Sequence, residues 1–204
     1  MSTLQLIWDS KTTYELWSWD PNNNSQHFTA QLVRPLAERV HLVRVGPRGA
    51  PPSNVVAAKI ATGKDAVKDM QREFGLYENE LKELQGNLVP ICYGFWTTKV
   101  NGRHLGCLLL EYCSGPPGDR QTQQLHLRFD RAAYALHSAG VLHGDLRDGH
   151  FVAMGLDSRI LDFSTAVPHI CTTDLAQRAE GRSRHTPCRC PELASLEFRT
   201  YGRY

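Results

Sequence analysis

Between residues 64 and 84 the apolar positions Val67, Met70, Phe74, Tyr77, Leu81 and Leu84 recur at gaps of 3, 4, 3, 4 and 3. That spacing predicts an amphipathic helix with one buried stripe, and Gly86 stops it. Before the helix, β-branched runs at 28–33, 40–45 and 55–60 predict strands, with Gly46-Pro47-Arg48-Gly49-Ala50-Pro51-Pro52 as the turn between the last two. After it, 88–96 and 105–112 predict two more strands, and Asn101-Gly102 between them is a hairpin turn. Ser114-Gly115-Pro116-Pro117-Gly118-Asp119 is the strongest linker signal and marks a domain boundary. Leu125, Phe129, Ala132 and Leu136 share one face of a second helix over 124–139, ended by Gly140. Pro191 opens a short third helix. Residues 1–27, with Trp8, Trp17, Trp19 and the polar run 22–26, read as a loosely ordered lead-in whose aromatics dock on the domain. The expected organisation is therefore a lead-in (1–27), a strand-rich part (28–113) and a second part (114–204).

Composition narrows the class. The chain has 204 residues, 41% hydrophobic and 22% charged, enough for one medium domain or two small lobes. Net charge is +2 and the basic residues are scattered, so no footprint for nucleic acid is expected. Cys92, Cys107 and Cys113 sit in apolar runs, which reads as reduced thiols in a cytoplasmic or nuclear protein. The N-terminus lacks the pattern of a signal peptide, and the apolar stretch around 105–110 is too short to span a bilayer, so neither secretion nor membrane association is expected.

The candidate chemistry lies in 142–152, Leu-His-Gly-Asp-Leu-Arg-Asp-Gly-His-Phe-Val. An apolar pair delivers His143 and Asp145 into a polar turn, and Phe151-Val152 picks the chain up again. Seventeen residues after Asp145, Asp162 follows another short apolar run, Ile160-Leu161. Two carboxylates so placed suit a site where one orients a hydroxyl and the other holds a metal. Lys59, inside the apolar strand 55–61, needs a partner or a route to water. Glu73 borders the buried stripe of the first helix and is the expected partner, with Glu80, on the same side, as its competitor.

Taken in order, these parts resemble the protein-kinase-like superfamily, particularly divergent fungal kinase-like proteins with a His-Gly-Asp-Leu catalytic loop. The resemblance covers roughly residues 28–195. It implies an α+β, bilobal fold: a small antiparallel β lobe with one αC-type helix, then an incomplete helical C-lobe. It further implies an ATP-dependent phosphotransferase that moves the γ-phosphoryl group to Ser or Thr hydroxyls of a protein substrate, with Mg2+. Asp145 would be the catalytic base and Asp162 the metal ligand, joined by His150 where that family has Asn. Lys59 would contact the nucleotide phosphates, held by Glu73, while Glu111 and Cys113 would form the hinge that meets adenine. His143 would be a strut for the loop, and Cys190-Pro191-Glu192 would stand for Ala-Pro-Glu.

The departures carry their own expectations. No Gly-x-Gly-x-x-Gly loop precedes Lys59, and Pro47, Pro51 and Pro52 remove amide donors a phosphate cradle would use. Gly144 stands where Arg is usual, which removes a partner for a phosphorylated loop. The imidazole of His150 is a poorer Mg2+ ligand than a carbonyl oxygen. Ser164 replaces Gly after Asp162. Helices expected beyond Pro191-Glu192 do not follow, as in a truncated member. His150, the missing glycine loop and the absent helices favour a pseudokinase, a nucleotide- or protein-binding module without turnover, whereas the retained Lys59, Glu73, Asp145 and Asp162 favour the phosphotransferase; the other alternative is a small-molecule kinase of the aminoglycoside phosphotransferase type. His169, Cys171, His185, Cys188 and Cys190 also suggest zinc, although Cys-x-Cys is not the usual ligand spacing.

Overall fold

A computed structural model of the chain describes residues 1–20, 25–114, 123–154, 157–173 and 189–201. Seven strands, Thr3–Ile7 (β1), Thr13–Ser18 (β2), His27–Pro35 (β3), Val40–Pro47 (β4), Asn54–Thr62 (β5), Cys92–Val100 (β6) and Arg103–Glu111 (β7), close into a barrel of order β1-β2-β6-β7-β5-β4-β3. Six of the seven pairings are antiparallel; β1 and β3 run parallel, with Leu4 opposite Phe28. Strand alternation sorts the side chains. Leu4, Leu6, Leu16, Ala30, Val43, Val56, Ala58, Ile60, Trp96, Leu105, Cys107 and Leu109 form one buried cluster. The intervening positions of β5 and β7, Ala61 and Leu108, join a second cluster with Phe95 and with Val67, Met70 and Phe74 of the helix Lys64–Glu78 (α1).

This overturns the expected fold. The bilobal, protein-kinase-like α+β arrangement began its small antiparallel lobe at residue 28; the chain instead closes a mixed seven-stranded barrel that begins at Thr3, with three α-helices among the described residues. The physical reason lies in the expected lead-in. Leu4, Leu6 and Leu16 occupy alternate, fully buried positions on β1 and β2. Those strands pair with β3 and β6, so a sheet that would have been open has no free edge there.

By contacts the chain forms two compact units, Met1–Gly75 with Ile91–Tyr112, and Leu76–Pro90 with Cys113–Tyr204. The stretch expected to belong wholly to the first part, 76–90, thus counts with the second. Helix α1 also ends earlier than its stripe suggests: it stops at Glu78, and Leu84 belongs to a 3-10 turn, Lys82–Leu84. The expected hairpin is present: β6 and β7 meet with Val100 opposite Arg103 across Asn101-Gly102, whose φ values of 49° and 77° are those of a tight left-handed turn.

In the second unit, the helices Gln123–Ser138 (α2) and Pro191–Tyr201 (α3) bury Phe129, Ala132, Ala133 and Leu136 against a core that includes Leu193 and Leu196. The Tyr134 hydroxyl donates to the buried Glu197 carboxylate at 2.9 Å. Strand Val141–Leu142 (β8) pairs with Val167–Pro168 (β11), and Phe151–Met154 (β9) with Asp157–Ile160 (β10). Arg159 is buried and spends its guanidinium on the carbonyls of Gly86 and Asn87, at 2.6 and 2.7 Å. The linker expected at 114–119 lies, after Ser114, outside the described residues, as do His185 and Cys188.

Candidate functional site

In the first unit Lys59 sits on β5, between β4 and β7 and opposite Val40 and Leu108, so it is not an edge residue. Its strand parity sends it to the α1 side, away from the barrel interior. There its Nζ donates to both oxygens of Glu73, at 3.0 and 2.8 Å. Glu73 is 2% exposed and Lys59 14%. A bidentate pair so dry holds the ammonium in one place. Glu73, rather than Glu80, is the partner. At the end of β7, the Glu111 amide donates to the Ile91 carbonyl at 2.8 Å and its carboxylate accepts the Ile91 N–H at 3.2 Å. Cys113 lies half-buried just beyond β7.

In the second unit β8 leads into the turn that carries His143, Gly144 and Asp145. His143 is fully buried, and its Nε2 lies 3.0 Å from the Leu161 carbonyl oxygen. Burial holds its imidazole below the ordinary value of 6.5, although the Leu161 carbonyl and the Glu192 carboxylate pull the other way. His143 therefore favours the neutral form, as suits a strut. Gly144 has φ of 81°, and a Cβ there would meet the Thr165 carbonyl oxygen at 2.8 Å. Backbone approach, not the loss of an arginine's role, accounts for glycine at this position.

His150 stands between the two aspartates. Its Nδ1 is 2.9 Å from the Asp145 carbonyl oxygen and 3.6 Å from Asp145 Oδ2, while its Nε2 is 3.7 Å from Asp162 Oδ2. Both carboxylates are a little over two-fifths exposed, so solvent reaches them. Asp162 adopts a left-handed φ of 64°, and its Oδ1 accepts the Ser164 N–H at 3.4 Å. This sparsely populated backbone turns the carboxylate out of the apolar run before it. The donor set fits Mg2+ at Asp162, a hard oxygen that takes such an ion together with ligand phosphates. His150 offers a nitrogen, a poorer partner for Mg2+ than oxygen; its Nδ1 is engaged with the Asp145 backbone and its Nε2 faces Asp162.

Three participants were not anticipated in their roles. Arg147 places Nε 3.1 Å from Asp145 Oδ2. Glu192, at the start of α3, accepts the amides of His143 and Gly144 at 3.0 and 2.7 Å and lies 2.8 Å from His137 Nε2. Burial raises the Glu192 carboxyl, but these partners together outweigh it and leave the group below 4.5. His137, on α2, was hidden among the residues of a helical face. Arg147 is legible two residues after Asp145, and Glu192 stands in the Cys190-Pro191-Glu192 motif, though nothing local tells which groups it holds; His137 comes from a distant segment and carries no local signal.

Compared with known proteins, the chain matches no family model, and no curated protein is similar to it. With the closed barrel, this corrects the resemblance drawn from the motifs: membership of the protein-kinase-like superfamily, its divergent fungal branch included, does not hold. The chain is a closed β-barrel unit with a buried Lys–Glu pair, and a second unit in which His150 lies between Asp145 of the polar turn and Asp162 just after β10. No helix among the described residues is long and apolar enough to cross a membrane.

Proposed function

We propose that the chain is an ATP-dependent phosphotransferase acting on Ser or Thr hydroxyls of proteins, with its chemistry at Asp145 and Asp162. The carrying observation is the placement of two solvent-reached carboxylates on opposite nitrogens of one half-buried imidazole. Asp145 would accept the hydroxyl proton, and Asp162 would hold Mg2+ on the phosphates. Phosphoryl transfer asks little covalent chemistry of the protein beyond positioning and charge neutralisation. The bound ion would supply that neutralisation; His150 keeps the two carboxylates apart.

A specific contact favours a second reading, a nucleotide- or protein-binding module without turnover. Asp145 already faces Arg147 at 3.1 Å, so the carboxylate oxygen a substrate hydroxyl would approach is engaged by a side chain of the same turn. Magnesium-dependent ATP binding and transfer to Ser/Thr peptides, and to small hydroxyl compounds as the other acceptor class, separates the readings. For a phosphotransferase, Asp145→Asn lowers turnover by about 10²–10⁴-fold with binding kept, and Asp162→Asn loses Mg2+-dependent affinity. Nucleotide binding without turnover, unchanged in Asp145→Asn, selects the second reading. No measurable nucleotide binding by the parent chain sinks the phosphotransferase and leaves only a protein-binding role.

A further inference from the structure

We propose that His137, His169, Cys171 and Cys190 form a structural Zn2+ site in the second unit. Each offers one ligand atom, and the four atoms lie within 4.8 Å of one another. The Cys190 Sγ is 3.6 Å from His137 Nδ1 and 3.9 Å from His169 Nε2. Zinc bonded to sulfur at about 2.3 Å and to nitrogen at about 2.0–2.1 Å, in tetrahedral geometry, requires ligand-to-ligand edges of about 3.3–3.8 Å. The cluster is therefore within a few tenths of an ångström of coordination along these two edges. The two imidazoles stand nearly perpendicular, at 82° with centroids 5.3 Å apart, so the rings do not stack face to face.

The surroundings are those of a built site. His137 and Cys190 are each 2% exposed, and His169 and Cys171 are half-buried. The backbone beside each element is anchored: the His169 amide donates to the Gly140 carbonyl at 2.6 Å, and the Cys190 amide to the Thr173 hydroxyl at 3.2 Å. Most informative is Glu192, 2.8 Å from His137 Nε2. A carboxylate accepting the N–H of one imidazole nitrogen fixes the ring and leaves the lone pair of the other nitrogen, Nδ1, free to bind a metal on the side of Cys190. Two thiolates and two imidazoles are a soft, borderline set that selects zinc over Mg2+ or Ca2+, and four protein ligands leave no open position for catalysis. Three of the ligands were among the residues that suggested zinc from sequence; the fourth, His137, is supplied by α2.

The site would clamp the end of α2, the segment after β11 and the start of α3. Because Glu192 also receives the amides of His143 and Gly144, the clamp extends to the aspartate turn. This holds whether or not that turn transfers phosphoryl groups.

The test uses the full chain, purified reduced, loaded with ZnCl2 or CoCl2 and freed of excess metal. Expected are one zinc per chain by elemental analysis, and for the cobalt form the strong visible absorption of a tetrahedral ion with a sulfur-to-cobalt band. Cys171→Ser with Cys190→Ser loses both signals, while Cys92→Ser keeps them. In the unmutated chain, zinc shields the half-buried Cys171 from alkylation by iodoacetamide, and chelation restores its reactivity and speeds hydrogen exchange at the His143 amide. The proposal is overturned by a chain that takes up no zinc, by a weak octahedral cobalt spectrum, by metal retained in the double variant, or by recovery of Cys171 and Cys190 as a disulfide from the metal-treated chain.

Discussion

Lys59 and Glu73 show how much one buried contact decides. The carboxylate is almost wholly out of water and its cation nearly so. Lys59→Met alone deprives Glu73 of that cation and is expected to cost roughly 3–5 kcal/mol, whereas Lys59→Met with Glu73→Leu recovers most of the loss, since a buried pair replaced by apolar groups is often neutral. Urea midpoints of the single and double variants check this; a double variant as unstable as the sum of the singles contradicts it. The buried thiol of Cys107, pushed up to about 12 by desolvation alone, is correspondingly inert to alkylation in the folded chain. His143 has the opposite charge logic to Lys59. Its folded value lies below the unfolded 6.5, so its contribution to stability is complete above pH 6.5 and is lost as pH falls from there through the folded value. Its ring resonances, followed by NMR, should titrate below pH 6.5; a midpoint at or above that pH refutes the burial argument.

At the scale of elements, α3 matters for what its first turn holds. Glu192→Ala leaves the amides of His143 and Gly144 without their acceptor; the cost is about 1–3 kcal/mol at His143, which is buried, and small at the exposed Gly144, where water replaces the carboxylate. Hydrogen exchange at these two amides should accelerate well beyond that of β5, and unchanged protection would mean that α3 does not hold the turn. Helix α1 was readable over most of its length because Val67, Met70 and Phe74 repeat at the helical period and are buried. Its end was not: Tyr77 and Leu81 continue the stripe and are fully buried, yet the helix stops at Glu78 and the chain reaches Leu81 through a turn. Apolar spacing reports which residues avoid water, and several backbone paths satisfy it. The hairpin β6–β7 was legible for a stricter reason, because Asn-Gly is among the few pairs that take positive φ at both central positions.

At the scale of the whole molecule, barrel closure rests on two strands that looked like a lead-in. Removing residues 1–19 leaves β3 and β6 with unpaired edges, and the shortened chain is expected to self-associate or unfold at lower temperature. Size-exclusion chromatography and thermal melts check this; a monomer of unchanged stability would mean that the other strands suffice. The sequence by itself determined the local propensities: five of the barrel strands, the stripe of α1, the tight turn at Asn101-Gly102, and the candidacy of Lys59, Glu73, Asp145 and Asp162. Tertiary structure alone decided that Leu4, Leu6 and Leu16 close a barrel, that Glu73 rather than Glu80 meets Lys59, and that His137 and Glu192 gather behind the His143 turn. The reason is physical: periodicity and turn chemistry act between neighbours along the chain, whereas strand pairing, the choice between two carboxylates and the convergence of His137 with Cys190 depend on which distant surfaces bury one another.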